Sequence, residues 1–595
     1  MKNKFLAALL CAGFIFGFGR SAQAQWQTQS LLIKPGWTAV YLHVDASYQT
    51  LNNMVGSDIN NPIQEIWLWN VSGSTLQYVT SPQSPLTTSS QWLNWERLGT
   101  GLPSTLANLI PNAAYLIHST ATTNYTWNIQ GKVVAPSYAW ATTGENFLDF
   151  PTVTNNPPAL DTFLSLAPSL ESVAQIYQYI GGPLGPTNPS QVFALHNTTV
   201  NRGQAFWIQS GSYFNNYYGP FTAVIPSVGG VAFSNLTSQF SFHLQNPTAF
   251  SQTVTLNLVA SDPPPAGQPP IVGLPQLLVR GALNTTNLTY TYTNLAAGTP
   301  ISWTLTPQGT TGSDIVVVLG LNRYTMTNSA GSLYAGILKF TDSLGLTEID
   351  APVTAQVASY TGLWVGSASV SQVANYLKIY QMDANNSPVV GTNGAYIVTG
   401  VNTNLGAVAT PFPLRLIVHN NGTSANLLQR VFYGNNVYSN LVVALNEGSL
   451  DPTQLSTARR ISAVHLPWSA TNAPFPMSGQ LVPGGTLTAT ATFNYTDQSS
   501  NPFLHTYHPD HNNLDETFQN LLPPGSESYG IQRQITLSIS PPGNDFASLT
   551  QAGQTFAGSY LETITMSGLG GATRTFNTAG TFGLTLLSPI GVLSP

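Results

Sequence analysis

TLTATATFNY (residues 486–495) alternates strictly: Leu487, Ala489, Ala491, Phe493 and Tyr495 are interleaved with Thr486, Thr488, Thr490, Thr492 and Asn494. A two-residue period turns one set of side chains toward a packed face and the other toward water, the pattern of a half-buried strand. TVTLNL (253–258) and QITLSI (534–539) repeat it. Turn formers are dense, with 51 Gly and 42 Pro, and stretches of helical period are few. Only 172–179 and 454–461 read as candidates for a short helix. These features predict an all-β, multi-domain chain of β-sandwich modules in tandem.

Residues 1–24 have the layout of a secretory leader: Lys2 and Lys4, an apolar run from Phe5 to Gly19, then SAQA with small Ala22 and Ala24. Cleavage after Ala24 is expected, and with it a mature chain that is secreted or held at the cell surface. No later stretch reaches about 18 uninterrupted apolar residues, so no transmembrane segment is expected after the leader. Cys11, the only cysteine, lies in the apolar run behind Leu10, where a lipoprotein signal needs a small residue. The mature chain is therefore expected to have no disulfide, thiolate metal site or cysteine nucleophile. Charged residues make up 7% of the chain, against roughly 25% in ordinary globular proteins. The net charge of −6 becomes more negative by three when Lys2, Lys4 and Arg20 leave with the leader. Nucleic-acid binding needs clustered Lys and Arg to neutralise phosphates, and no nucleic-acid partner is expected.

From Gln25 to about residue 227 the sequence reads as a diverged duplication. IQEIWLW (63–69) answers to VAQIYQY (173–179), and NAAYLIHS (112–119) to GQAFWIQS (203–210). Gly36 and Gly144 open the two units, and Pro136 and Pro226 close them. The expected domains are an aromatic-rich module at 25–137, its second copy at 138–227, a sandwich at 228–359 and a larger β domain at 360–595. FSFHLQNPTAFSQTVTLNLVAS and YAGILKFTDSLGLTEIDAPVTAQV in the third region resemble early and final strands of immunoglobulin-like sandwiches of bacterial surface proteins. In the fourth, GLWVG (362–366), FPLRLIVH (412–419), LLQRVF (427–432), RISAVHLPW (460–468) and HPDHNNLD (508–515) together resemble a C-terminal domain of large secreted bacterial proteins. That resemblance implies export and modular β architecture and carries no activity, so it assigns no functional residue.

Three sets of residues bear on chemistry. NPFLHTYHPDHNNLDETF (501–518) holds three of the nine histidines, His505, His508 and His511, together with Asp510, Asp515 and Glu516. These are ligand types for zinc or calcium. The spacing matches no common ligand pattern. Thr506 stands where the HxHxDH of metallo-β-lactamase-like hydrolases needs its first histidine, and Leu514 falls where an EF-hand loop needs an oxygen. The alternative is a loop in which Asp510 and Asn512 cap turns and the histidines bond to backbone or arginine. No cofactor is expected unless this segment holds Zn or Ca. The second set is Arg415, His419, Arg430, Arg460 and His465, which reads as an anion site or as a network paired with Asp510 and Asp515. Arg415 and His419 fall on one strand face, with Leu414, Leu416 and Val418 on the other. The third set is aromatic: Trp67, Trp69, Tyr213, Tyr217 and Tyr218 either stack on sugars or fill a core. There is no GxSxG elbow and no glycine-rich phosphate loop. The expected function is a secreted, non-catalytic binding or structural protein at the cell surface, with glycans or other surface proteins as partners. The alternative is a metal-dependent extracellular hydrolase centred on 505–516.

Overall fold

The structure is a computed structural model. It describes residues 25–70, 92–97, 104–135, 145–167, 175–185, 187–209, 217–227, 229–234, 237–375, 377–402, 404–428, 430–436, 441–444, 458–465, 475–493, 529–551, 553–568 and 573–592. Nearly all regular structure is strand, as the alternating sequence predicts. The chain divides into two compact units, Met1–Val357 with Asp545–Thr550, and Ala358–Asn544 with Gln551–Pro595.

The first unit opens with two sheets of the same plan. One has the strand order Gly36–Leu42, Ala113–Ser119, Ile63–Trp69, Trp92–Glu96, and the other Glu145–Leu148, Phe206–Gln209, Gln175–Gln178, Ser190–Gln191. Neighbours are antiparallel in both. Even the register agrees: Ile66 faces Ile117 and Trp67 faces Leu116 in one, while Ile176 faces Ile208 and Tyr177 faces Trp207 in the other. Residues 175–178 thus form a strand rather than the short helix considered for 172–179. The same holds at 454–461, whose described part belongs to the strand Ala458–His465.

Each of these sheets is covered on both faces. Val40, Leu42, Ile66, Leu68, Tyr115 and Ile117 pack into a core with Trp127 and Ile129 from the strand Tyr125–Val133. Leu148, Ile176, Phe206 and Ile208 pack against Leu160, Phe163 and Leu164 of a short helix, Leu160–Leu164. The remaining faces meet each other across Trp67, Trp92 and Leu116 on one side and Phe147, Tyr179 and Trp207 on the other. Trp207 is the hub: Phe147 stacks on it at 4.3 Å and Trp69 meets it edge-on at 5.1 Å. The opening Gly36 is demanded by this contact. Its φ is +75°, and a Cβ there would lie 2.4 Å from the carbonyl oxygen of Gly182, whose carbonyl accepts the Trp37 N–H.

Downstream lies a sandwich. A five-stranded sheet (Thr222–Val224, Gln239–Gln245, Asp314–Leu321, Leu277–Asn284, Thr289–Leu295) packs on a six-stranded one containing Leu333–Asp342, Glu348–Gln356 and Gln252–Ala260. In the last of these Val254, Leu256 and Leu258 face inward, as the TVTLNL alternation requires.

The second unit holds a closed eight-stranded barrel: Gly362–Asn375, Gly406–Asn420, Ala425–Leu427, Phe475–Gly479, Thr486–Phe493, Tyr529–Ile539, Thr555–Gly568 and Thr573–Ser588. The larger β domain expected here is thus a barrel, a detail that a two-residue period, common to sandwiches and barrels, does not encode. Leu487, Ala489, Ala491, Ile535, Leu537, Trp364 and Phe582 fill its interior. Thr486, Thr490 and Thr492 are exposed outside, the reverse of the apolar outer band of a membrane-spanning barrel. Among the described residues no helix is long and apolar enough to cross a membrane.

Candidate functional site

Both copies and the sandwich converge on one cleft in the first unit. It encloses about 270 Å³, counting space open to solvent, and is lined chiefly by Gln27, His43, Asn112, Arg202, Glu348 and Asp350. His43 follows the strand Gly36–Leu42, and its Nε2 lies 2.9 Å from Oδ2 of Asp149, which follows Glu145–Leu148. Asp149 also accepts the N–H groups of Phe150 (2.7 Å) and Gly203 (2.6 Å). Arg202 reaches the sandwich, donating to the Glu348 carbonyl at 2.5 Å and to Asp350 Oδ2 at 3.0 Å. Gln27 donates to that same oxygen at 3.2 Å. Oδ1 of Asp350 is buried with no partner among the described residues.

Burial sets the charge state here. It pushes the His43 imidazole well below its ordinary range, and the Arg202 guanidinium adds to that. It raises the Asp149 carboxyl well above its own range, against the two amide donors and Arg202. Both shifts favour the neutral forms of the pair, whose Oδ2 and Nε2 face each other, while Arg202 and Asp350 form a second pair beside it. Among the described residues, the cleft lining contains no hydroxyl, thiol or amine nucleophile. What the arrangement does is join: His43–Asp149 links the two copies, and Arg202–Asp350 links the second copy to the sandwich.

A second polar group lies inside the barrel. Arg533 and Glu562 are wholly buried, and the Arg533 Nε–H donates to Glu562 Oε1. The Tyr560 hydroxyl donates to Oε2 at 2.5 Å. Ala491 stands directly across from Arg533, and Ala489 two residues before it, so the neighbouring strand leaves room for the long side chain. Thr578 stands opposite Glu562, its hydroxyl buried and without a partner among the described residues.

Comparison with models of protein families and with curated proteins returns no match. The site therefore rests on its own geometry.

Of the residues singled out in the sequence, His505, His508, Asp510, His511 and Asp515 lie outside the described residues, as does Tyr213. Among the described residues no group of three or more His, Cys, Asp or Glu is placed to hold a metal. Arg415 and His419 share the outer face of the barrel, but Arg415 is exposed while His419 is 3% exposed. The His419 Nε2 lies 3.2 Å from the Ile590 carbonyl. Arg430 and His465 stand opposite each other in the ladder of Arg430–Asn436 with Ala458–His465, and Arg460 stands opposite Asn435. Trp67, Tyr217 and Tyr218 are buried and Trp69 is half-buried. His43, Asp149, Arg202, Asp350, Arg533 and Glu562 were not anticipated. Their one sequence signal is being ionisable in a chain so poor in charge.

Proposed function

We propose that the chain is an exported, non-catalytic scaffold of stacked β modules that acts at a cell surface or in an extracellular matrix by binding or packing. Glycans and other surface proteins are the partners this reading assigns to it. It rests on one observation: the buried ionic side chains serve as joints. His43 and Asp149 join the copies, Arg202 and Asp350 join a copy to the sandwich, and Arg533 and Glu562 brace the barrel. Acid and base groups act on a substrate when they are available to it, whereas these are paired with one another. The aromatic faces support the same reading, since they hold two sheets together. Export rests on the leader at residues 1–24, and the resemblance of the C-terminal segments to domains of large secreted proteins agrees with it.

The full chain, recovered after export, tests this on glycoside, ester and peptide panels with and without chelator, and by co-sedimentation with insoluble polysaccharide and isolated cell envelopes. Sedimentation without turnover is expected. Turnover that disappears on chelation would replace the scaffold with a metal-dependent hydrolase.

A further inference from the structure

The mature end of the chain carries chemistry of its own. This inference rests on the export reading, in which cleavage after Ala24 makes Gln25 the first residue. Gln25 is 0% exposed, and neither Oε1 nor Nε2 has a hydrogen-bond partner among the described residues. Its backbone is fixed on the carboxyl side, where its carbonyl accepts the Val133 N–H at 2.9 Å. Trp26 anchors the next position: its N–H donates to Ser261 Oγ at 2.7 Å, and its ring meets Tyr48 edge-on at 5.0 Å. A free terminus here would bury an ammonium group beside a primary amide that already lacks partners. Burying an unpaired charge is costly, and an α-amino group is largely protonated near neutral pH. Lys132, opposite Trp26 in the ladder, already places an ammonium 5.5 Å from the Trp26 ring centre, and Asp45 stands opposite Lys132.

We propose that Gln25 is converted to pyroglutamate. The α-nitrogen, as the free amine, attacks Cδ of its own side chain, the N–Cδ bond forms, and the Cδ–Nε2 bond breaks. Ammonia leaves, taking a proton from the attacking nitrogen. The five-membered lactam closes between atoms of a single residue, and the step requires no oxidant, reductant or second substrate. The product removes the charge and leaves one N–H and one carbonyl where an ammonium and a primary amide stood. The end of the chain then carries no charge at a residue that is fully buried. It also denies aminopeptidases the free amine they need.

The test uses the full chain, expressed with its own leader and recovered from outside the cytoplasm. All free amines are labelled by reductive methylation in denaturant before digestion, so that ring closure during digestion is not counted, and the N-terminal peptide is weighed. The expected peptide begins at Gln25, is lighter by one ammonia and carries no label on its α-nitrogen. A peptide that begins at Gln25 with a labelled α-amine overturns the lactam and leaves the export reading standing. A peptide that begins at any other residue, Met1 included, overturns both together. Gln25→Ala, which is unable to cyclise, is expected to show the labelled amine.

Discussion

Arg323 in the sandwich and Arg533 in the barrel are both buried, yet they are satisfied in different currencies. Arg323 donates to backbone carbonyls, to Gln356 at 2.6 Å, to Thr237 at 2.8 Å and to Ser234, and its Nε–H goes to the Ser238 hydroxyl at 2.9 Å. Arg97 in the first copy does likewise, with bonds to the carbonyls of Val55, Asp58, Asn61 and Ile63. Both sit where strands give way to turns, and turns leave carbonyls without ladder partners. Arg533 lies within a ladder instead. The strands beside it are paired along their length, with Ala491 on one side and Ile564 on the other. Inside the barrel a side chain meets it: the Arg533 Nε–H donates to Glu562. Arg323 and Arg97 at loops are held by several neutral dipoles, whereas Arg533 in the barrel wall is paired with a carboxylate.

That contrast is broken most sharply at Glu562. Glu562→Gln leaves a guanidinium enclosed without its counter-charge, and the barrel's unfolding free energy is expected to fall by about 3–5 kcal/mol. Replacing both partners, Arg533→Met with Glu562→Leu, should restore most of the loss, because no charge is then left buried. Denaturant unfolding of the two variants decides it: a double variant as unstable as the single one would mean that packing, not charge, dominates there. Arg323→Met is expected to cost less, about 2–3 kcal/mol, since the carbonyls it abandons lie at strand ends that water can reach. A loss at Arg323 equal to that at Glu562 would erase the distinction between the two sites.

The same contrast explains what could be read from the sequence. The alternation at 486–495 and 534–539 identified strands and their inward residues, because period two is written locally in Leu487, Ala489, Ile535 and Leu537. The likeness of IQEIWLW to VAQIYQY was legible for the same reason. The two segments repeat one local pattern, and their strands pair with Ala113–Ser119 and Phe206–Gln209 in one register. Closure of the barrel was not legible, since it depends on Gly362–Asn375 meeting Thr573–Ser588 across most of the domain. Nor were the joints. His43 and Asp149 are 106 residues apart, Arg202 and Asp350 148, and no spacing rule links such pairs. For Trp67 and Trp69 the sequence left core and sugar platform open; in the fold Trp67 is buried and Trp69 meets Trp207 of the second copy edge-on.

The joint between the copies makes a subtler prediction, because its two groups are displaced in opposite directions. In the unfolded chain Asp149 and His43 titrate near about 3.9 and 6.5. In the fold the carboxyl is raised and the imidazole lowered, which favours both neutral forms. Below the unfolded carboxyl value, unfolding takes up a proton at His43, so stability falls with falling pH. Between the two values the proton lost by Asp149 matches the one gained by His43, and the pair contributes a plateau. Above the unfolded imidazole value only the loss remains, and stability falls as pH rises. Asp149→Asn removes the loss. Relative to the parent chain, its stability between about pH 4 and 6.5 should then drop with falling pH by about 1.4 kcal/mol per unit, one proton's worth. Melting curves across that range measure the difference in slope. Parallel profiles would mean that Asp149 stays ionised in the fold.

The smallest effect belongs to the barrel's outer face, where Arg415 and His419 lie four residues apart on the same side of one strand. Their shared face suggested a shared task, but burial separates them. Water solvates the exposed Arg415, and an exposed charge gains little from any partner it touches, so Arg415→Ala is expected to move the barrel's stability by less than about 0.5 kcal/mol. His419 is enclosed where the chain end crosses it, and its ring is bonded to the Ile590 carbonyl. His419→Ala removes that bond and its packing and should cost about 1 kcal/mol or somewhat more. If the order is reversed, with Arg415→Ala the more harmful, then Arg415 is bound into an ionic network despite its exposure. A cation on the barrel's surface would then depend on its partners as the buried Arg533 does inside it.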